Sequence, residues 1–100
     1  MSDRSLHALV LAIDLRMPAA HSLKEKRGLL RPLVDGLRQR FQLSVAEIGD
    51  QDKWQRAQLA VAVVAGSAGH VVDVVEEVER FVWSDPRVEV LGIEHHWLET

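Results

Sequence analysis

The chain has 100 residues, of which 47% are hydrophobic and 27% charged, with a formal net charge of −3. This length and composition predict one globular domain over residues 1–100 and exclude a mostly disordered chain. The charge excludes a general attraction to nucleic acids or acidic membranes, and the absence of cysteine excludes disulfides and thiolate metal sites. Without a long apolar run or a signal-like start, the protein is expected to be cytoplasmic.

The first half of the chain predicts a strand followed by a helix. Residues 6–17 alternate between two faces, which is typical of a strand. A capping box at Ser22–Glu25 then opens a helix. The apolar residues expected to face inward from this helix are Leu23, Leu30, Leu33, Val34, Leu37 and Phe41. Gly28 and Pro32 interrupt the pattern, so we expect a bend or a short break there, because proline removes a helical hydrogen bond.

The second half repeats the change from strand to helix and back. Strands are predicted over residues 42–48 and 56–65, a helix over about 68–83 and a last strand over 88–98. A polar loop, residues 49–55, joins the second strand to the third. The order β-α-β-β-α-β predicts an α+β, ferredoxin-like split βαβ sandwich, with a four-stranded antiparallel sheet and both helices on one face.

Nothing in the sequence points to catalysis, a metal or a cofactor. His95 and His96 are adjacent, and adjacent strand residues point to opposite faces, so the two rings cannot bind one ion. Asp14 lies inside a strand without an accompanying base or nucleophile. We expect Asp14 to hydrogen-bond the backbone or to pair with Arg16 or Arg56. The chain is therefore not expected to be an enzyme.

The first predicted helix carries a basic stripe, made of Lys24, Arg27, Arg31 and Arg38, which span about 60° of the helix. Residues 24–40 have six basic and two acidic side chains, a charge of +4, which leaves −7 for the rest of the chain. Such a stripe suits RNA phosphates. Alternatively, it is a solvated face that the acidic second helix partly neutralises.

The open face of the predicted sheet is unusually apolar. The residues of the two central strands on this face are Ala8, Val10, Ala12, Ala60, Ala62 and Val64. An exposed face normally carries polar residues. We therefore expect a second copy of the chain to cover this face, with Val10, Ala12, Ala62 and Val64 in the contact. Modules that recognise RNA on a sheet stack bases on aromatic residues, and this face has none.

Three segments together resemble the YlxP-like proteins, a bacterial family of unknown function. They are Pro18–Arg27, which contains SLKEKR, Ser44–Gly49, and Gln51–Ala57, which contains QD-x-WQRA. The resemblance covers nearly the whole chain and implies a ferredoxin-like fold in a cytosolic bacterial protein. Genes of this family often lie near those for translation initiation and small-subunit maturation factors, which implies a role around the ribosome. The family offers no agreed catalytic residues.

The favoured interpretation is a non-enzymatic accessory protein of translation or ribosome assembly that contacts RNA or a ribonucleoprotein. The contacts are expected from the basic stripe and from a partner loop containing Gln51, Asp52, Trp54 and Arg56. Trp54 fits either a partner contact or a lid on the domain's own core. Two other classes remain open: a homo-oligomeric small-ligand sensor, and an enzyme whose site forms between subunits.

Overall fold

A computed structural model describes residues 4–98 of the chain. Its elements are β1 (His7–Arg16), α1 (Leu23–Phe41), β2 (Ser44–Gly49), β3 (Arg56–Ala65), α2 (Ala68–Trp83) and β4 (Glu89–Trp97). The four strands and α2 agree with the predicted ranges to within two residues. The loop between β2 and β3, residues 50–55, is called the hairpin loop below.

The strands form one antiparallel sheet in the order β2-β3-β1-β4. β1 therefore occupies the centre, where Leu11 lies between Val61 of β3 and His95 of β4. β2 and β4 form the two edges. Both helices cover the same face, so the chain has the predicted ferredoxin-like α+β fold.

The core lies between the covered face of the sheet and the two helices. The buried strand and helix residues are Leu9, Leu11, Ile13 and Leu15 of β1, Val45 of β2, Ala57, Leu59, Val61 and Val63 of β3, Leu30, Leu33 and Leu37 of α1, and Val71, Val75, Val78 and Val82 of α2. Because side chains alternate along a strand, this pattern confirms the predicted faces of β1. Leu23, which was expected to face inward, is instead 38% exposed.

The helix α1 continues through Gly28 and Pro32, so the short break, one of the two outcomes that the sequence predicts there, does not occur. Both residues lie on its exposed side. Water can therefore solvate the carbonyl of Gly28, which Pro32 deprives of its usual partner. Packing of Leu30 and Leu33 holds the same helical turns against the sheet.

Each helix begins with a serine cap. The Ser22 hydroxyl accepts a hydrogen bond from the Glu25 amide at 3.0 Å, and the Glu25 carboxylate accepts one from the His21 amide at 2.7 Å. Ser67 caps α2 by accepting from the His70 amide at 3.1 Å. These bonds satisfy backbone donors that the first turn leaves free. Neither helix in residues 4–98 is long and apolar enough to cross a membrane.

Candidate nucleic-acid interface

The basic stripe lies on the flank of α1 that faces away from α2. Contact between the helices occurs at Gly36, where an added Cβ would lie 2.5 Å from Cζ of Phe81 in α2. At 100° per residue, the four stripe residues lie about 120–180° around α1 from Gly36. The stripe therefore borders the edge strand β2, which lies on the opposite side of α1 from α2.

The stripe has no ion-pair partner within residues 4–98. Lys24, Arg27 and Arg31 are exposed, and Arg38 uses Nη2 to donate a hydrogen bond to the Val45 carbonyl at 2.8 Å. The acidic residues of α2 therefore form no ion pairs with the stripe in this structure. Three of its four cations therefore lie on the surface without a bonded partner in the described part of the chain.

A groove of about 220 Å³ separates the stripe from β2. Arg27, Arg31 and Arg38 line one side, while Glu47 and Gln51 line the other. The structure thus brings three residues of the predicted stripe together with one residue of the predicted partner loop. The fourth stripe residue, Lys24, lines a neighbouring depression on α1 with Arg27 and Arg31.

Lys26 anchors the hairpin loop to α1. Its side chain is only 2% exposed, and its Nζ donates to the Asp50 carbonyl at 2.7 Å and lies 3.4 Å from Oε1 of Glu47. A buried ammonium group requires such partners, because desolvation strongly disfavours an unpaired charge. The adjacent Gln51 donates from Nε2 to the Glu47 carbonyl at 3.0 Å. The sequence prediction missed this contact network.

A second set of bonds fastens the hairpin loop to the loop between β1 and α1. Gln55 donates from Nε2 to the carbonyls of Pro18 and Ala20 at 3.2 and 3.1 Å. The Met17 amide donates to the Gln55 carbonyl at 2.9 Å. These bonds join the two segments that contain SLKEKR and QD-x-WQRA, and Lys26 adds contacts with Glu47 and Asp50, just before the second segment. The motif residues therefore connect the start of α1 to the hairpin loop through several hydrogen bonds.

Trp54 projects from this fastened loop with 53% of its surface exposed. A side chain that open is accessible to a partner and does not serve as a buried lid on the core. Asp52 is exposed beside it, and Lys53 pairs with Asp50 at 3.1 Å. The loop thus presents an indole from a backbone that side chains of other elements hold in place.

Arg56, assigned from sequence to the partner loop, lies elsewhere. It begins β3 and turns to the open face, where its Nη2 lies 3.1 and 3.0 Å from the two carboxylate oxygens of Asp14. One of the two arginines expected to pair with Asp14 therefore does so. The Nε atom of Arg56 is buried without a hydrogen-bond partner among the described residues. Since Asp14 holds it on the open face, Arg56 is not part of the groove.

The open face has the apolar centre that the sequence predicted. Val10 lies directly opposite Ala62 in the register of β1 and β3, and Ala12 lies beside them on β1. Val10 is 39% exposed and Val64 is 65% exposed. The small side chains form a flat surface without an aromatic residue. Self-association through this face remains a prediction.

Comparison with solved structures supports the fold alone. A de novo designed protein, Foldit4, is 14% identical with a TM-score of 0.51, covering 93% of this chain and 98% of the design. A designed protein with a ferredoxin fold, solved by NMR, is 11% identical with a TM-score of 0.48, covering 93% of this chain and 86% of its own.

Comparison of sequences identifies the family. The uncharacterised protein YlxP of Bacillus subtilis (strain 168) is 37% identical over 70 residues, which are 70% of this chain and 76% of YlxP. The model of a family described as a protein of unknown function, DUF503, matches residues 8–95. This match includes Lys26 and both of its partners, Glu47 and Asp50. The chain belongs to the DUF503 family.

Proposed function

We propose that the protein is a non-enzymatic accessory factor of translation or ribosome assembly that binds structured RNA within a ribosomal particle. One observation carries the proposal: three cations of the basic stripe, Lys24, Arg27 and Arg31, are exposed on the flank of α1 that faces away from α2, and they form no ion pair within residues 4–98. Arginine presents a planar fork that matches phosphate oxygens and stays charged at any working pH. The stripe therefore supplies the phosphate contacts.

The hairpin loop contributes the second contact. An exposed indole stacks on an unpaired base, because every base offers an aromatic face. Lys26 fixes the loop relative to α1, so Trp54 and the stripe are held at a constant spacing before RNA arrives. Pre-ordering of this kind reduces the entropy lost on binding.

The test reverses two charges of the stripe in the double variant Arg27→Glu/Arg31→Glu. Its matched control is Arg4→Glu/Arg80→Glu, which changes two exposed arginines outside the stripe. Each double variant shifts the net charge equally, since every Arg→Glu change removes two positive units. Binding to purified ribosomal particles and to a ribosomal RNA fragment would be measured by co-sedimentation and fluorescence anisotropy across a salt series.

We expect wild type and control to bind with log affinity falling against log salt at about 0.7–0.9 per phosphate contact, or about 2–3 in all. The stripe variant should lose binding and keep its melting temperature, since its arginines have no ion pairs within residues 4–98. Unchanged binding of the stripe variant, or equal loss in the control, would refute the proposal.

Trp54→Ala should weaken binding about tenfold, since stacking contributes about 1–3 kcal/mol per base.

A further inference from the structure

The strand β4 has a free backbone edge. The Leu98 amide donates a hydrogen bond to the Ala8 carbonyl at 2.8 Å. In this register the backbone amides and carbonyls of Glu94, His96 and Leu98 therefore point toward β1. Ile93, His95 and Trp97 therefore direct their amides and carbonyls away from the sheet. Within residues 4–98, no side chain donates a hydrogen bond to these carbonyls.

Monomeric proteins usually protect an edge strand with proline, an inward charge, lysine, a β-bulge or a covering loop. β4 is nine residues long and contains neither proline nor lysine. Its one bulge, at Leu91 between Val90 and Gly92, lies before the segment from Ile93 to Trp97, which pairs regularly with β1. Beside it, α2 presents apolar side chains instead of a cover. Glu79 of α2 contacts His95 at 2.6 Å, which identifies the flank of α2 that lies over β4.

Val72 and Trp83 lie seven residues before and four residues after Glu79, so they share this flank. They are 40% and 63% exposed, and Trp97 at the end of β4 is 43% exposed. A free edge with apolar groups along it is a surface suited to strand pairing.

We propose that β4 pairs antiparallel with β4 of a second copy, joining two four-stranded sheets into one of eight strands. Hydrogen-bond complementarity selects the register, because a carboxylate accepts from an imidazole N–H, whereas two carboxylates cannot bond each other. With His95 opposite its own copy, each Glu94 lies opposite His96 of the second copy, and each Ile93 lies opposite Trp97. If the second strand were shifted by two residues in one direction, Glu94 would lie opposite Glu94 of the second copy. A shift of two residues in the other direction would place His96 opposite His96.

Contacts already present within one chain support this register. On the open face, Nε2 of His96 lies 3.1 Å from Oε2 of Glu94 in the same chain. Pairing would place the same two groups of the second copy beside them, so that each Glu94 contacts His96 of both chains. His95 lies on the helix side, where its Nε2 already contacts Oε1 of Glu79 of its own chain at 2.6 Å. The two Ile93–Trp97 contacts would cover part of the exposed indole on the helix side, since cross-strand neighbours on one face touch.

The test separates backbone pairing from side-chain effects. His95→Pro removes an amide that points to the free edge and that β1 does not use, so the monomer fold tolerates it. His95→Ala is the control, because both variants lose the imidazole and only the proline variant loses the donor. Mass would be followed by analytical ultracentrifugation over a concentration series, together with thermal melting.

We expect wild type and His95→Ala to reach twice the chain mass of 11.3 kDa, and His95→Pro to dissociate at least tenfold more readily. Glu94→Lys should weaken the dimer about twofold to tenfold. The double variant Glu94→His/His96→Glu should restore it, because the swap preserves opposite groups across the axis. This rescue tests the register.

Three results would overturn the proposal: a wild-type monomer at every concentration, equal association of His95→Pro and His95→Ala, or a dimer that is lost only in the open-face variant Ala62→Asp. The last result would assign association to the open face. Hydrogen exchange of wild type gives a readout that needs no variant. The amides of Ile93, His95 and Trp97 should become protected as concentration rises, and constant exchange there would also exclude the edge contact.

Discussion

The two edges of the sheet differ in how their backbone carbonyls are used. On β2, the alternate carbonyls of Val45 and Glu47 accept hydrogen bonds from Arg38 and Gln51. On β4, the outward carbonyls receive no side-chain donor within residues 4–98, and exposed Trp97 lies among them. The protein therefore closes one edge with its own polar side chains and leaves the other available for pairing.

The flanking helices reinforce this difference. α1 meets β2 with cations and the buried Lys26, whereas α2 meets β4 with Val72 and Trp83 partly exposed. A polar flank suits a solvated ligand such as RNA, and an apolar flank suits another protein surface. The two proposed functions, RNA binding and pairing with a second copy, would therefore use opposite edges of the sheet.

The largest effect is expected from replacing Lys26, which anchors the hairpin loop beside the edge strand β2. Lys26→Ala removes the bond to the Asp50 carbonyl and the ion pair with Glu47. We expect the free energy of unfolding to fall by about 2–3 kcal/mol, because a charge-assisted bond is lost in a buried position. Lys24→Ala, on the exposed side, should change it by less than about 0.5 kcal/mol. Urea denaturation that gave equal values for both variants would contradict the role of Lys26.

A smaller effect is expected from uncapping β2 itself. Arg38→Ala/Gln51→Ala frees the carbonyls of Val45 and Glu47 and should cost about 1–2 kcal/mol in total, with each bond contributing about 0.5–1 kcal/mol. The uncapped edge should also add strand pairing at β2, so light scattering should reveal species larger than those of wild type. Gln39→Ala is the matched control on an exposed position of α1. Unaltered scattering would show that these two bonds do not close the edge.

The smallest effect concerns the turn that leads into β4. Hydrogen bonds from the Arg87 side chain hold the pKa of the Asp85 carboxyl below its ordinary value of 3.8, despite partial burial. Because the folded pKa is the lower one, the stabilisation is present at neutral pH and is lost as pH falls from 3.8 through the folded pKa. Asp85→Asn should cost about 0.5 kcal/mol at neutral pH, and this difference should shrink as the pH falls below 3.8. Paired denaturation curves at several pH values would measure it; a constant difference would contradict it.

The sequence predicts the fold well because its apolar spacing changes clearly between two and 3.6 residues. It misses Lys26 for an instructive reason. Positions 26, 30, 33 and 37 continue one helical face, so the spacing itself marks residue 26 as inward. The charge of lysine hides that signal, since an inward lysine requires partners, and these come from the distant residues Glu47 and Asp50.

The candidate site was less predictable than the fold. The helical periodicity correctly grouped the basic stripe on one side of α1, but it does not reveal that Arg38 bonds the Val45 carbonyl. Likewise, the strand alternation that places Arg56 on the open face was evident, yet its proximity to the Trp54 loop in sequence suggested a shared role. Long side chains reach across elements, and their partners depend on packing that local patterns do not encode.

The register of β1 has a consequence for folding. Leu9 pairs with Trp97, so the first strand completes its bonding with the last one, whereas β2 and β3 join through a loop of only six residues. Local hairpins form quickly, and closure across nearly the full chain length is slow. During synthesis, β1 can therefore meet β3 while its other side still lacks β4. The central strand of the finished sheet is a temporary edge in the nascent chain, and β4 is the element that ends its exposure.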